Sequence, residues 1–354
     1  VADTVEFDNW YRMQTRERLK REKPIVYDKF IQADKKSNKG EITLSTIDLA
    51  YSYGCNLTCK HCLAAKFTKK DRKLTPHDLK DLSRQANELG VYKWSIYGGE
   101  PLFWPDLEDV VNAVNPNEFL VEIVTNAILL NRDKIAHLKN MGIDKLCISL
   151  DYFDASQHDE NRNRQGLFKH AIEMMSEAKK TGLMVTINTV VTKQSVRDPQ
   201  LLRLIEFAKK NGFIVSAFIA IPVGNWEGRF DLLIDPEDAK YLYDLNRQHG
   251  VIKRDIYSYM GIKNGCPALK EGINITPYGD VTPCPFLSIS VGNIFDEPLR
   301  KIIENGMRVK WFKDRSPICL AGEDRNFIKN KLAKTYGKPH PISMYALFTK
   351  DEFC

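Results

Sequence analysis

From Ile47 to about Pro222 the chain alternates short apolar runs with amphipathic segments. Runs of strand character lie at Ile47–Tyr53, Trp94–Tyr97, Leu120–Thr125, Leu146–Leu150, Val185–Val191 and Ile214–Ile221. Helix-like segments separate them at Pro76–Leu89, Leu107–Val114, Arg132–Met141, Leu167–Lys180 and Pro199–Lys210. Several of these helices stop at glycine: Leu89-Gly90, Met141-Gly142, Thr181-Gly182 and Asn211-Gly212. A glycine just past the last turn is the residue that closes a helix in the left-handed conformation. Mostly unbroken apolar strands are those of a parallel sheet covered on both faces, and strand–helix alternation builds such a sheet with right-handed crossovers. The fold class is therefore α/β. Six strands and five intervening helices, with a sixth helix at Pro236–Asn246, stop short of the eight strands of a closed barrel. Ligands of such sheets bind at the carboxyl ends of the strands, so the segments that follow each strand carry the search for chemistry.

Past the first strand comes Cys55-Asn-Leu-Thr-Cys59-Lys-His61-Cys62, three thiols within eight residues. A 4Fe-4S cluster ordinarily takes four cysteine thiolates, and a tight loop supplying three leaves one iron open to another ligand. A structural zinc site wants four N or S ligands, usually as paired C-x2-C arms. No second arm follows nearby, and His61, wedged between Cys59 and Cys62, is badly placed as a fourth zinc ligand. The cluster reading is preferred to zinc or to reduced core thiols.

After the second strand stands Tyr97-Gly98-Gly99-Glu100-Pro101-Leu102. Two glycines let backbone approach a ligand closely, and Glu100 offers an acceptor for an ammonium group; alone, the segment also reads as a simple turn. The third strand ends in Thr125-Asn126. In the fourth, alternation puts Cys147, Ser149 and Asp151 on one face. Ser149 and Asp151 would then sit at the mouth of a barrel, with Cys147 deeper. Next, His158-Asp159-Glu-Asn-Arg162 either supplies Arg162 to a carboxylate or caps the following helix. Asn188, on the fifth strand, is a further polar candidate. Trp226, Arg229 and Tyr97 are substrate-contact candidates by position, and Ile221–Gly228 lines the mouth or is a linker.

A second cysteine set follows: Cys266, then Ile275-Thr-Pro-Tyr-Gly279-Asp-Val-Thr-Pro-Cys284, then Cys319. It reads as a β-hairpin turning at Gly279-Asp280 with a thiol in each arm. Residues 1 to about 44 form a charged extension with a helix over Trp10–Leu19 and a turn at Lys36–Gly40. The 354 residues are 43% hydrophobic and 28% charged, with a net charge of +6. That suits a globular chain with a sizeable core and is no nucleic-acid footprint. No apolar run approaches the roughly 18 residues of a membrane span, and no signal peptide opens the sequence. Eight cysteines, three of them clustered, point to metal binding in a reducing compartment, hence to the cytoplasm.

The first cysteine loop, with an aromatic residue (His61) before its last thiol, resembles the signature of the radical S-adenosylmethionine (SAM) enzymes. The later set, with Gly292-Asn-Ile294 and Trp311 between Cys284 and Cys319, resembles the C-terminal extension called SPASM or Twitch. Together the resemblance covers about residues 45–320. It implies a partial (β/α)6 TIM-type barrel over 45–230 and a linker helix with a Twitch-like domain over 231–354. It also implies a 4Fe-4S cluster on Cys55, Cys59 and Cys62 whose open iron binds SAM. Electron transfer to SAM then yields a 5′-deoxyadenosyl radical. By the same resemblance Gly98, Gly99 and Glu100 hold the methionine amino group, and His61, Asn126, Ser149, Asp151, Arg162 and Asn188 are further cofactor contacts. Cys147 is either a catalytic hydrogen-atom donor, as in epimerases of the superfamily, or a buried core thiol. One auxiliary 4Fe-4S cluster is expected on Cys266, Cys284 and Cys319, because the longer cysteine array that ends a full SPASM domain is missing after Cys319. Its fourth ligand is Cys354, or an oxygen of Glu323 or Asp324, or a position left open. The expected substrate is a small polar precursor of sugar, aminoglycoside or nucleoside type, undergoing oxidation, epimerisation or elimination, since the charged extension is too short for a peptide-recognition domain. The alternatives are maturation of a ribosomally made peptide and a non-catalytic iron–sulfur electron-transfer protein. A flavodoxin- or ferredoxin-type donor is the implied partner, with neither membrane nor nucleic acid.

Overall fold

The six expected strands form, and they lie side by side in sequence order: β1 (Thr46–Ser52), β2 (Lys93–Gly98), β3 (Leu120–Thr125), β4 (Lys145–Ser149), β5 (Met184–Val191) and β6 (Ile214–Ile219). Every neighbouring pair is parallel. The computed structural model of the protein describes residues 15–39, 41–254 and 265–354. Helices at Pro76–Glu88, Leu107–Val114, Arg132–Asn140, Leu167–Lys180 and Pro199–Asn211 make the crossovers. Their ends follow local chemistry. Thr75 and Asp78 form a capping box at the first, and Gly212 (φ +67°) closes the last. This is the partial TIM-type barrel of an α/β protein.

The sheet does not stop at six. A short β7 (Ile252–Arg254), reached through the helix Pro236–His249, pairs in parallel with β6. It escaped the sequence reading because three residues, two of them cationic, carry no strand pattern. On the other flank β8 (Gly272–Ile275) pairs in parallel with β1 and antiparallel with β9 (Asp280–Thr282). The cysteine hairpin therefore continues the barrel sheet. Its turn is Thr276–Gly279, with Gly279 at φ +80°. Cys266 and Cys284 lie just outside the paired residues, not within the arms as expected. A single apolar core runs from the barrel helices into this C-terminal part.

The strands also differ from the expected unbroken apolar runs. Outward residues such as Ile47, Leu49, Trp94, Ile96, Ile123 and Ile148 are fully buried under the helices, each worth about 1.5–3 kcal/mol of burial. Inward residues are largely polar: Asp48, Ser95, Tyr97, Ser149 and Asn188 all face one cavity. Deeper in the barrel Glu122 forms ion pairs with Lys93 and Lys145, a charged floor. Below it lies the N-terminal segment. Residues 15–22 are helical, residues 10–14 of the expected helix lie outside the described residues, and a second helix runs Pro24–Asn38. The turn expected from Lys36 thus begins three residues late, after Asn38. Lys23 fastens this segment to the carbonyls of Phe119 and Gly142, each at 3.1 Å, and to Asp144. No helix among the described residues is long and apolar enough to cross a membrane.

Candidate active site

The cysteine loop leaves β1 at Ser52 and is held from three sides. The Gly-Gly turn after β2 packs directly on it: a Cβ on Gly99 would lie 2.1 Å from the Gly54 carbonyl, and one on Gly98 2.2 Å from that of Ser52. The Glu100 amide donates to the Gly54 carbonyl at 3.0 Å. From the helix Ala155–Arg162, the Asn161 carbonyl accepts from Lys60 N at 3.0 Å. From the loop after β6, Asn225 donates its backbone N–H to the Cys62 carbonyl and its side-chain amide to that of Cys59, both at 3.0 Å. The Gly/Pro-rich stretch 221–228 is thus a clamp on the cysteine loop. Trp226 packs on the His61 ring (centroids 5.6 Å apart); neither it nor Arg229, which pairs with Asp231 at the surface, lines the cavity.

Above the barrel mouth Arg162 grips Asp151 through two hydrogen bonds, and Asn161 bridges Asp151 to His61 Nδ1, 3.0 Å on each side. Burial opposes the charge on Asp151, yet Arg162 and the nearby His61 and His158 hold its carboxyl well below the usual carboxylate range. Burial pulls the His61 imidazole down. His158 is fully buried, its Nδ1 accepting from the Asp151 amide at 3.2 Å. Asp159 caps the next helix, accepting from Gly166 N and Phe168 N at 2.5 and 2.8 Å. The segment therefore does both things the sequence left open: Arg162 pairs with a carboxylate and Asp159 caps.

Glu100 is fastened by the fold. Its side chain is 1% exposed and is not among the residues that line the cavity. It accepts from Thr125 Oγ1 (2.7 Å), Leu102 N (3.1 Å) and Asn126 N (2.7 Å). Burial pushes its carboxyl up to about 7, against those hydrogen bonds. Its position lashes the Gly-Gly turn to the end of β3, and one acceptor site on Oε2 is left for a ligand. Asn126 in turn donates to Asn56 Oδ1 at 2.9 Å, beside Cys55.

Cys55, Cys59, Cys62, Cys266, Cys284 and Cys319 all line one cavity of about 360 Å³ together with Gly98, Gly99, Ser149, Asp151, Arg162 and Asn188. Two expected thiols do not. Cys147 is 4% exposed and lies one layer deeper, against the charged floor, where burial first and Glu122 second push its thiol up to about 12. A hydrogen-atom donor has to reach the cavity, and the core-thiol alternative describes it. Cys354 is exposed; its amide donates to the Arg308 carbonyl at 2.7 Å, away from the other thiols. Glu323 accepts from Cys319 N at 2.9 Å and Asp324 caps the helix Arg325–Asn330. Cys319 itself is set against the barrel by Gly322, where a Cβ would lie 2.6 Å from Ile219 Cδ1.

Among the described residues no three His, Cys, Asp or Glu side chains converge as a site for one metal ion. A cluster meets each thiolate at a different iron. The surroundings fit that group. Burial pushes the Cys59 thiol up to about 11 and that of Cys284 higher still, so deprotonation has to come with metal binding. Beside Cys266, Lys270 is 2% exposed with one hydrogen bond, to Ala268 O at 3.3 Å. Its other ammonium donors meet no hydrogen-bond acceptor among the described residues, which suits an anionic occupant.

The radical SAM superfamily model matches residues 49–205 and an iron–sulfur cluster-binding SPASM model matches 266–323. The chain is a radical SAM enzyme with a SPASM domain. It binds SAM, a SAM-binding 4Fe-4S cluster and an auxiliary iron–sulfur cluster. This radical SAM enzyme is 24% identical to an AdoMet-dependent heme synthase of Methanosarcina barkeri, over 74% of this chain and 82% of that one. It is 28% identical to the mycofactocin maturase MftC of Mycolicibacterium smegmatis, over 70% and 66%. Its fold matches Streptococcus suis SuiB, solved with the precursor peptide SuiA and also with SAM. With SuiA bound, the TM-score is 0.61 at 22% identity, over 78% of this chain and 69% of that one.

Sequence reasoning missed Asp48, Ser95 and Phe218, which line the cavity from β1, β2 and β6. The signal was present in Ile47-Asp48-Leu49, a lone acid inside an apolar run. Asp48 forms no ion pair with any described residue. Burial, with Glu122 adding to it, pushes its carboxyl up to about 6, while Lys93 and Ser95 oppose.

Proposed function

We propose that this radical SAM enzyme takes a hydrogen atom from a small polar precursor held against Asp48, Ser95 and Asn188. One observation carries the reading: these three inward side chains face the same cavity as both thiol sets. In this proposal Cys55, Cys59 and Cys62 hold the catalytic cluster and Cys266, Cys284 and Cys319 the auxiliary one. Gly98, Gly99, Ser149 and the Asp151–Arg162 pair form the SAM side of the cavity. When bound, the cluster and SAM together supply a 5′-deoxyadenosyl radical. The chain's own part is to hold, orient and shield. The clamp of Asn225, Asn161 and the Gly-Gly turn fixes the loop, and Phe218, Val190 and Phe286 form an apolar wall that excludes water from a reactive intermediate. Residues 45–230 are the catalytic unit of this reading, 231–354 the auxiliary one, and a flavodoxin- or ferredoxin-type protein the electron donor.

Peptide maturation is the second reading, favoured by the match to MftC and by the fold shared with SuiB in its complex with SuiA. The cavity then takes one side chain in place of a whole small molecule. The test is 5′-deoxyadenosine formation by reconstituted enzyme offered amino sugars, nucleosides and candidate precursor peptides, with deuterated substrates to trace the hydrogen. Turnover stimulated by a small polar compound and lost in Asp48→Asn supports the first reading. Stimulation by peptides alone overturns it in favour of the second.

A further inference from the structure

Lys270 is four residues beyond Cys266, on the turn that enters β8, and its side chain is wholly inside the protein. An ammonium carries three donors. One meets the Ala268 carbonyl at 3.3 Å. The adjacent carboxylate, Glu271, accepts on Oε1 from Arg315 at 2.6 Å and from Ser37 at 3.2 Å and forms no ion pair with Lys270. Of the charges around it, Cys266 attracts Lys270 most, ahead of Asp314 and Glu271, while Arg315 repels it. No described carboxylate reaches Lys270 as an ion pair, and a buried cation left so is costly by several kcal/mol, so the site favours a negative occupant.

The turn that carries it is itself strained. Leu269 sits at φ +64°, a region that bulky L residues avoid at a cost of about 1–3 kcal/mol. Its amide donates to the carbonyls of Gly272 and Pro283 at 2.9 and 3.0 Å, tying the turn to the strand that leads into Cys284. Its side chain is locked against Gly306, where a Cβ would be only 2.7 Å from Leu269 Cδ2. The surrounding packing thus fixes the turn so that the Lys270 ammonium meets the carbonyl of Ala268, which lines the cavity together with Cys266, Cys284 and Pro283.

We propose that Lys270 is the built-in counter-charge of the auxiliary iron–sulfur cluster, a positioning residue whose ammonium favours the reduced cluster and raises its reduction potential. The inference rests on the assignment of Cys266, Cys284 and Cys319 as the thiols of that cluster. The physics is general: reduction adds a negative charge, and a fixed cation in a low-dielectric surround stabilises the more negative state.

The experiment is an EPR-monitored redox titration of the anaerobically reconstituted holoenzyme beside Lys270→Met and Lys270→Arg, each first assayed for iron and sulfide. Added SAM perturbs the cluster on Cys55, Cys59 and Cys62, which tells the two signals apart. The expected result is about eight irons in all three proteins. The auxiliary signal of Lys270→Met should fall to a more negative potential by at least a tenfold change in its one-electron equilibrium, about 59 mV. Lys270→Arg should stay near wild type, and the SAM-sensitive signal should not move. An unchanged auxiliary potential in Lys270→Met overturns the proposal. Loss of about four irons in Lys270→Met but not in Lys270→Arg supports it, since charge is then required even to hold the cluster. Loss in both makes Lys270 a packing residue and overturns it. About four irons in wild type overturns the auxiliary-cluster assignment, and the proposal with it.

Discussion

Arg162 holds Asp151 through Nε to Oδ2 at 2.9 Å and Nη2 to Oδ1 at 3.2 Å, with both side chains buried beside His61. A buried ion pair is costly to halve, because the surviving charge has no water to turn to. Arg162→Met and Asp151→Asn are each expected to lose about 3–5 kcal/mol in urea unfolding of the cluster-free protein. The double variant should lose less than the sum. The pair also has a pH signature. The Asp151 carboxyl is depressed in the folded chain, so its stabilisation is present above its ordinary value of 3.8 and drains away as the pH falls below it. Asp151→Asn should flatten the acid limb of the stability profile.

Gly99→Ala would set a methyl group 2.1 Å from the Gly54 carbonyl, backbone against backbone with no side chain to swing aside. The cysteine loop has to move. Reconstituted Gly99→Ala should hold about four irons where wild type holds about eight, and isothermal titration should find SAM binding weakened at least about tenfold. Gly90→Ala is the control. Gly90 is left-handed (φ +82°) with nothing within 4 Å of the added carbon, so it should cost about 1 kcal/mol of stability and leave iron content unchanged.

Asp48 titrates the other way from Asp151. Its folded carboxyl is raised, from 3.8 to about 6, so the folded chain binds the proton more tightly and stability falls as the pH rises through that window. Asp48→Asn removes the penalty of a negative charge held inside the barrel cavity. Thermal melts of the cluster-free protein should find the variant more stable than wild type at pH 8, with the gap closing by pH 4. A gap that persists at pH 4 would contradict the assignment of the charge as its cause.

The cysteines separate by place. Cys319→Ala should lose about four irons on reconstitution, whereas Cys354→Ser, exposed and remote from the cavity, should keep the wild-type count. Cys147→Ala should keep all its iron and lose about 1 kcal/mol of stability by vacating a small buried volume. A fall of a hundredfold or more in product formation, with 5′-deoxyadenosine still produced, would restore Cys147 as a hydrogen-atom donor.

Local sequence carried a large share of this protein. Hydrophobic period, proline at helix starts and glycine at helix ends act within a few residues, so the six central strands and their helices were legible with ends shifted by at most three positions. Cysteine spacing is equally local: Cys55, Cys59 and Cys62 on one loop can serve one cluster wherever the chain folds. Only tertiary structure decided what faces what. Strand alternation says that Ile47 and Asp48 point oppositely, but closure of the sheet puts the acid inside. Glu100 reads as a free ligand in its turn, yet β3 brings Thr125 and Asn126 to its oxygens and turns it into a fastener. The edge of β1 is open in sequence, and pairing with β8 draws the hairpin in, so that Cys266 and Cys284, more than two hundred residues on, share a cavity with Cys55. Lys270 is an ordinary cation in the sequence. Burial against the cavity wall at Ala268 is what gives its charge a task, because an ammonium without water calls for an anion nearby.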